Sequence, residues 1–179
     1  MGNCYTSVFL HGPDPYAVYE YLVDRLYNAY VLPAPHNITV VCEEGCNTQE
    51  QGTIVELTRV LSANFHCPAL GLLNHDDDWL WFVLCENGKT VGKYNSKDRR
   101  PIAAGRLQQA FGSDASRGWL WFLLKIPHPL FLFEIYRHRW LARALELPPW
   151  SVGLSYTPLA DREIPSGLTE SDIKCTRAL

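Results

Sequence analysis

Seven consecutive residues from Trp79 to Cys85, Trp-Leu-Trp-Phe-Val-Leu-Cys, run without a polar interruption until Glu86-Asn87-Gly88 breaks the run. On a period of two, Trp79, Trp81, Val83 and Cys85 face one way and Leu80, Phe82 and Leu84 the other. The pattern predicts a strand that needs cover on both faces. Shorter runs that read as strands flank it at 69–73 and 90–94, joined through a turn at 74–78 and through Asn87-Gly88, a pair suited to a two-residue hairpin turn. The three runs predict an antiparallel meander with 79–85 as the central strand of the sheet.

The remaining pattern supplies more strands and the cover. Residues 5–11 read as a first strand. Asp14 then caps a helix whose first position is Pro15, where a missing N–H costs nothing. Val18, Tyr21, Leu22, Leu26 and Ala29 recur at helical spacing and carry that helix to about residue 31. A β-branched strand at 37–42 follows. Thr48 with Gln51 matches a capping box and opens a second helix, 48–65, with Ile54, Leu57, Leu61 and Phe65 on its inner face. A short helix at 102–111 closes at Gly112.

Residues 118–125 repeat the earlier wording, Trp119-Leu120-Trp121-Phe122 against Trp79-Leu80-Trp81-Phe82, and predict a second, similar strand in the same sheet. A last helix spans 130–145 and a final strand 150–157, after which the chain turns polar. The expected fold is α+β: an antiparallel or mixed sheet built around an apolar β-meander and covered by about four helices. A single domain occupies 1–157, with 158–179 as its surface arm or tail.

Composition narrows the class. A chain of 179 residues suffices for one full core. Its 47% hydrophobic and 20% charged residues are ordinary for a globular domain. With 16 basic against 19 acidic residues the net charge is −3, which disfavours general nucleic-acid binding. The most apolar window, 119–136, contains Lys125, Pro127, His128, Pro129 and Glu134, so it predicts no membrane-spanning helix. Six cysteines without dense spacing or a secretory leader predict a reducing, cytoplasmic setting, and Cys42 and Cys46 lack the second pair that a zinc site needs. No cofactor is expected.

Three groups of residues carry candidate chemistry. On the last helix Phe133, Trp140, Ala144, Leu130 and Leu141 form an apolar face with Arg137 in its middle and His138 at its edge; Arg139 and Arg143 point away. A guanidinium there needs a partner. Arg137 with His138 reads either as an anion site or as a structural pair with Glu134 or a carboxylate from another element. His75, Asp76 and Asp78, in the acidic turn His75-Asp76-Asp77-Asp78, read as a cation-attracting turn or as a solvated one. Met1-Gly2-Asn3-Cys4-Tyr5-Thr6 matches an acylation pattern with Gly2 and Cys4 as the modified residues, although a strand beginning at Tyr5 leaves almost no tether. Acylation is the one route to membrane association that the sequence offers.

No nucleophile elbow and no phosphate-binding glycine loop occurs. The leading expectation is therefore a non-enzymatic binding or regulatory module that acts on a protein partner. Its contact surfaces are expected at the tyrosines of the first helix, the acidic turn and the C-terminal arm. The competing expectation is a small hydrolase or transferase that holds a small anionic ligand near Arg137 and His138.

Overall fold

The structure, a computed structural model, describes residues 2–98, 104–126 and 133–176. Seven strands, β1 (Tyr5–His11), β2 (Ala29–Ala34), β3 (Ile38–Glu43), β4 (Pro68–His75), β5 (Trp79–Glu86), β6 (Lys89–Asn95) and β7 (Lys174–Cys175), form one sheet in the order β6-β5-β4-β1-β3-β2-β7. Every neighbouring pair is antiparallel. Six α-helices are found among the described residues: α1 (Pro15–Asp24), α2 (Gln51–Asn64), α3 (Ala104–Phe111), α4 (Arg117–Lys125), α5 (Glu134–Ala144) and α6 (Tyr156–Ala160).

The helices make two layers. On one side of the sheet Val18 and Leu22 of α1 and Ile54, Leu57 and Leu61 of α2 pack on Trp81, Val83 and Cys85 and their neighbours. On the other side α3 to α6 cover Leu80, Phe82 and Leu84. The alternation in β5 therefore divides as its sequence predicts, and the strand is buried on both faces. The position of β5 differs from expectation. It lies one strand in from the edge, and β1, flanked by β3 and β4, occupies the centre. Periodicity reports burial, and a strand near an edge can be as fully covered as a middle one.

Two glycines matter to this layering. Gly88 follows Asn87 in the two-residue turn between β5 and β6, and both take positive φ, 75° and 49°. Gly71 of β4 lets α2 come down onto the sheet: a Cβ there would lie 2.2 Å from Thr58 Oγ1 and 2.9 Å from Ile54 Cγ2.

Four expected elements take another form. The first helix stops at Asp24 instead of reaching 31. Leu26 adopts φ 59°, Leu26 N–H donates to Val23 O and Tyr27 N–H to Leu22 O, the paired bonds of a Schellman closure. The chain then forms β2, which pairs with β3 over all of its six residues.

At α2 the expected capping box is absent. Thr48 ends a 3₁₀ turn, where its hydroxyl donates to Gly45 O at 2.8 Å, and Glu50 is the N-cap residue. Residues 118–125 are helical rather than extended, and 150–157 form the end of a 3₁₀ turn and the start of α6 rather than a strand. Beyond 158 the chain returns to the sheet, where β7 pairs with β2. The first residues of the expected helices at 102–111 and 130–145 lie outside the described residues.

Candidate functional site

α5 packs on the sheet and has an inner and an outer face of opposite character. Its inner face is Glu134, Arg137, His138, Leu141, Ala142 and Ala144, all buried. Phe133 and Trp140, expected on that face with Arg137, are instead half exposed, which corrects the predicted orientation of the helix. Arg139 and Arg143 point outward, as their spacing predicts. Leu130 lies outside the described residues.

Arg137 is among the largest fully buried side chains. Its Nε donates to Glu134 Oε2 at 2.7 Å, its Nη1 to Leu123 O, and its Nη2 to Ile126 O at 2.7 Å. Leu123 lies in the last turn of α4 and Ile126 is its C-cap residue, where the final carbonyls have no partner within the helix. Tyr94 of β6 serves the same end by donating its hydroxyl to Leu124 O at 3.2 Å. Arg137 thus fastens α4 to α5, with Glu134 supplying the counter-charge. The carboxylates of the acidic turn have other partners among the described residues.

His138 is also fully buried and shares a 2.8 Å hydrogen bond between Nδ1 and the Tyr5 hydroxyl. Its Nε2 has no hydrogen-bond partner among the described residues. Burial lowers its pKa to about 3 and pushes the Tyr5 hydroxyl well up, so both groups are neutral at ordinary pH.

The turn at 75–78 does not gather its side chains around one point. His75 Nδ1 meets Gln49 Oε1, Asp76 accepts the Gly2 N–H at 2.8 Å, and Asp78 pairs with Lys97 at 2.8 Å. Asp77, which sequence reasoning did not single out as a site residue, is the buried one. Its carboxylate accepts from Asn3 N at 3.0 Å, Asn3 Nδ2 at 2.7 Å and Asn74 Nδ2 at 2.8 Å. Its carbonyl accepts from Glu134 N at 2.7 Å, tying the turn to the start of α5.

Gly2, Asn3 and Cys4 lie along this turn, with Cys4 Sγ accepting from Asp76 N at 3.3 Å. Gly2 and Asn3 also line an open groove of about 550 Å³ whose other wall is Phe133, Tyr136 and Arg139. Among the described residues no cluster of three or more His, Cys, Asp or Glu is placed to hold a metal. Cys42 and Cys46 lie on opposite sides of the sheet. No helix among the described residues is long and apolar enough to cross a membrane.

The least ordinary surface is one that sequence reasoning missed. Ten large apolar side chains are exposed among the described residues, and six of them, Trp119, Trp121, Phe122, Phe133, Tyr136 and Trp140, belong to α4 or to α5 and its N-cap. Trp119 stacks on Phe122 with centroids 5.7 Å apart and meets Trp140 edge-on at 6.0 Å, so these three rings join the outer sides of the two helices into an aromatic face.

Guanidinium groups lie over that face, Arg143 above Trp140 at 5.2 Å and Arg139 above Tyr136 at 5.6 Å. The exposed charges of α4 and α5 are Arg117, Lys125, Arg139 and Arg143, while the one carboxylate, Glu134, is buried. A period-two reading of Trp119–Phe122 hid this face. On a helical period Leu120, Leu123 and Leu124 point inward and the aromatics are left outside.

No family model, curated protein or solved structure matches the chain.

Proposed function

We propose that the chain is a non-enzymatic binding module that acts through protein–protein contacts, with the outer face of α4 and α5 as its contact surface. The observation that carries this reading is the joined aromatic face, bridged at Trp119 and Trp140 and overlain by Arg139 and Arg143. Large exposed apolar patches mark interaction sites, and Trp, Tyr, Phe and Arg are the side chains enriched at interface cores, where acidic residues are depleted. The hydrolase or transferase reading has less support, because an anionic substrate would have to reach Arg137 and His138, both 0% exposed.

Trp121 and Phe122 are the most exposed aromatics of α4, at 52% and 49%, and are suited to a test. Trp121→Ser with Phe122→Ser is expected to leave the melting temperature nearly unchanged. The same change should weaken capture of a stoichiometric protein partner from the native host by tenfold or more, about 1.4 kcal/mol or greater. A partner held equally well by the double variant overturns the assignment of this face.

A further inference from the structure

Resting on the reading of the α4–α5 face as the contact surface, we infer that its occupant is an acidic peptide segment of a protein partner, carrying carboxylates for Arg139 and Arg143 and an apolar side chain for the aromatic bridge. Charge complementarity points to this occupant. Some surface cations are paired, Lys97 with Asp78 at 2.8 Å, Arg59 with Glu56 at 2.8 Å and Arg106 with Glu86 at 4.0 Å, whereas on α4 and α5 every exposed charge is a cation and the one carboxylate, Glu134, is buried. Among the described residues Lys125, Arg139 and Arg143 have no carboxylate within ion-pair distance, although the chain carries more acid than base.

Arg139 and Arg143 are one helical turn apart, so their guanidinium groups rise side by side from α5, each held over a ring. A guanidinium stacked on an aromatic face keeps its edge donors open, and those donors match a carboxylate in a bidentate fork. Two carboxylates spaced by one turn of helix, or by two residues of strand, would engage both. Between them an apolar side chain can cover Trp119 and Trp140 and exclude water from the two ion pairs, raising their worth above that of solvated surface pairs.

A nucleic acid is a poorer match, because the four exposed cations of α4 and α5 do not make the continuous basic track that a phosphate backbone follows. A lipid surface would also need more of them for electrostatic attraction.

The test is selection from a displayed library of random dodecapeptides on the full chain, repeated on Arg139→Glu/Arg143→Glu and on Trp121→Ser/Phe122→Ser. Peptides selected on the wild type are expected to combine Asp or Glu with Trp, Phe or Leu. They should bind the charge-reversed chain at least about tenfold more weakly, and that chain should select Lys and Arg instead. Selected peptides without acidic residues that still depend on Trp121 and Phe122 would overturn the inference and leave the contact surface standing. Peptides indifferent to both variants would overturn the surface assignment as well. Vesicles of phosphatidylcholine with phosphatidylserine, or oligothymidylate, bound as tightly as the selected peptides and lost in the charge-reversed variant, would place the occupant in another class and overturn the inference.

Discussion

His138 is a histidine whose surroundings accept only its neutral form. The ring is enclosed by α5 and the sheet, Tyr5 offers one hydroxyl to Nδ1, and in either tautomer Nε2 has no partner among the described residues. Protonation would bury a charge with nothing to offset it, which is why burial lowers the pKa to about 3. In the unfolded chain the same ring titrates near its ordinary value of about 6.5. The folded pKa is the lower one, so the unfolded state binds the extra proton in between, and the contribution to stability is present above pH 6.5 and is lost as pH falls toward 3.

Urea unfolding is therefore expected to show stability falling by roughly 1.5 kcal/mol between pH 6.5 and pH 5, above the range where most carboxylates titrate. His138→Gln, which keeps a polar atom facing Tyr5, should flatten that slope. A slope unchanged in the variant would mean that another group carries it. Such a residue is only partly legible in a sequence. The helical wheel places His138 beside the inner face, but its full enclosure depends on Tyr5 of a strand 133 residues away.

The words Trp-Leu-Trp-Phe occur twice in this chain, once in β5 and once in α4, and the difference lies in what surrounds them. Around Trp79 the flanks are turns that feed a hairpin: Asp76 and Asp77 at positive φ on one side and Asn87-Gly88 on the other. Around Trp119 the flank is Ser116, an N-cap whose hydroxyl accepts from Trp119 N–H at 3.1 Å, and the run continues with Leu123 and Leu124 on the same stripe as Leu120. Local residue preference is equal in the two copies, so the cap and the Leu spacing were the legible signal, and the repeated wording outweighed them. The meander and its Asn-Gly turn were legible because short-range hydrogen bonding and glycine's freedom at positive φ act within a few residues.

The Arg137–Glu134 pair was legible as one of two readings, since the partners are three residues apart on one helix. Its bonds to the end of α4 were not, because that contact depends on how two helices meet. Arg137→Met tests this helix-to-helix role. It leaves Glu134 buried without a counter-charge and frees the carbonyls of Leu123 and Ile126, so a loss of about 3–5 kcal/mol in chemical unfolding is expected. Adding Glu134→Leu should recover part of that loss by removing the orphaned carboxylate. No recovery would show that the bonds to α4 carry the effect alone.

Across the whole molecule, the antiparallel sheet ends at β6 on one side and at β7 on the other, and β7 comes from a stretch whose polar composition reads as a surface arm. A covering edge strand needs few apolar residues; its energy comes from backbone pairing and from hiding the open edge of β2. The docking extends past the strand. Thr176 Oγ1 accepts from Ala29 N–H at 2.8 Å and donates to Tyr27 O, and Thr176 N–H donates to Ala29 O at 2.9 Å.

Thr176→Val keeps the shape and removes both hydroxyl bonds, leaving a part-buried N–H and carbonyl unmet. A loss of about 1–2 kcal/mol is expected. Truncation before Lys174 goes further and reopens the edge of β2. In a comparison of amide exchange, Ala29 is expected to exchange at least about tenfold faster in the truncated chain while Val8 and Val41 at the centre of the sheet keep their rates. An Ala29 amide equally protected in both chains would mean that the arm does not hold its edge in solution. Acceleration spread equally to Val8 and Val41 would mean instead that the sheet opens as one unit, with β7 as one of the strands on which its global stability depends.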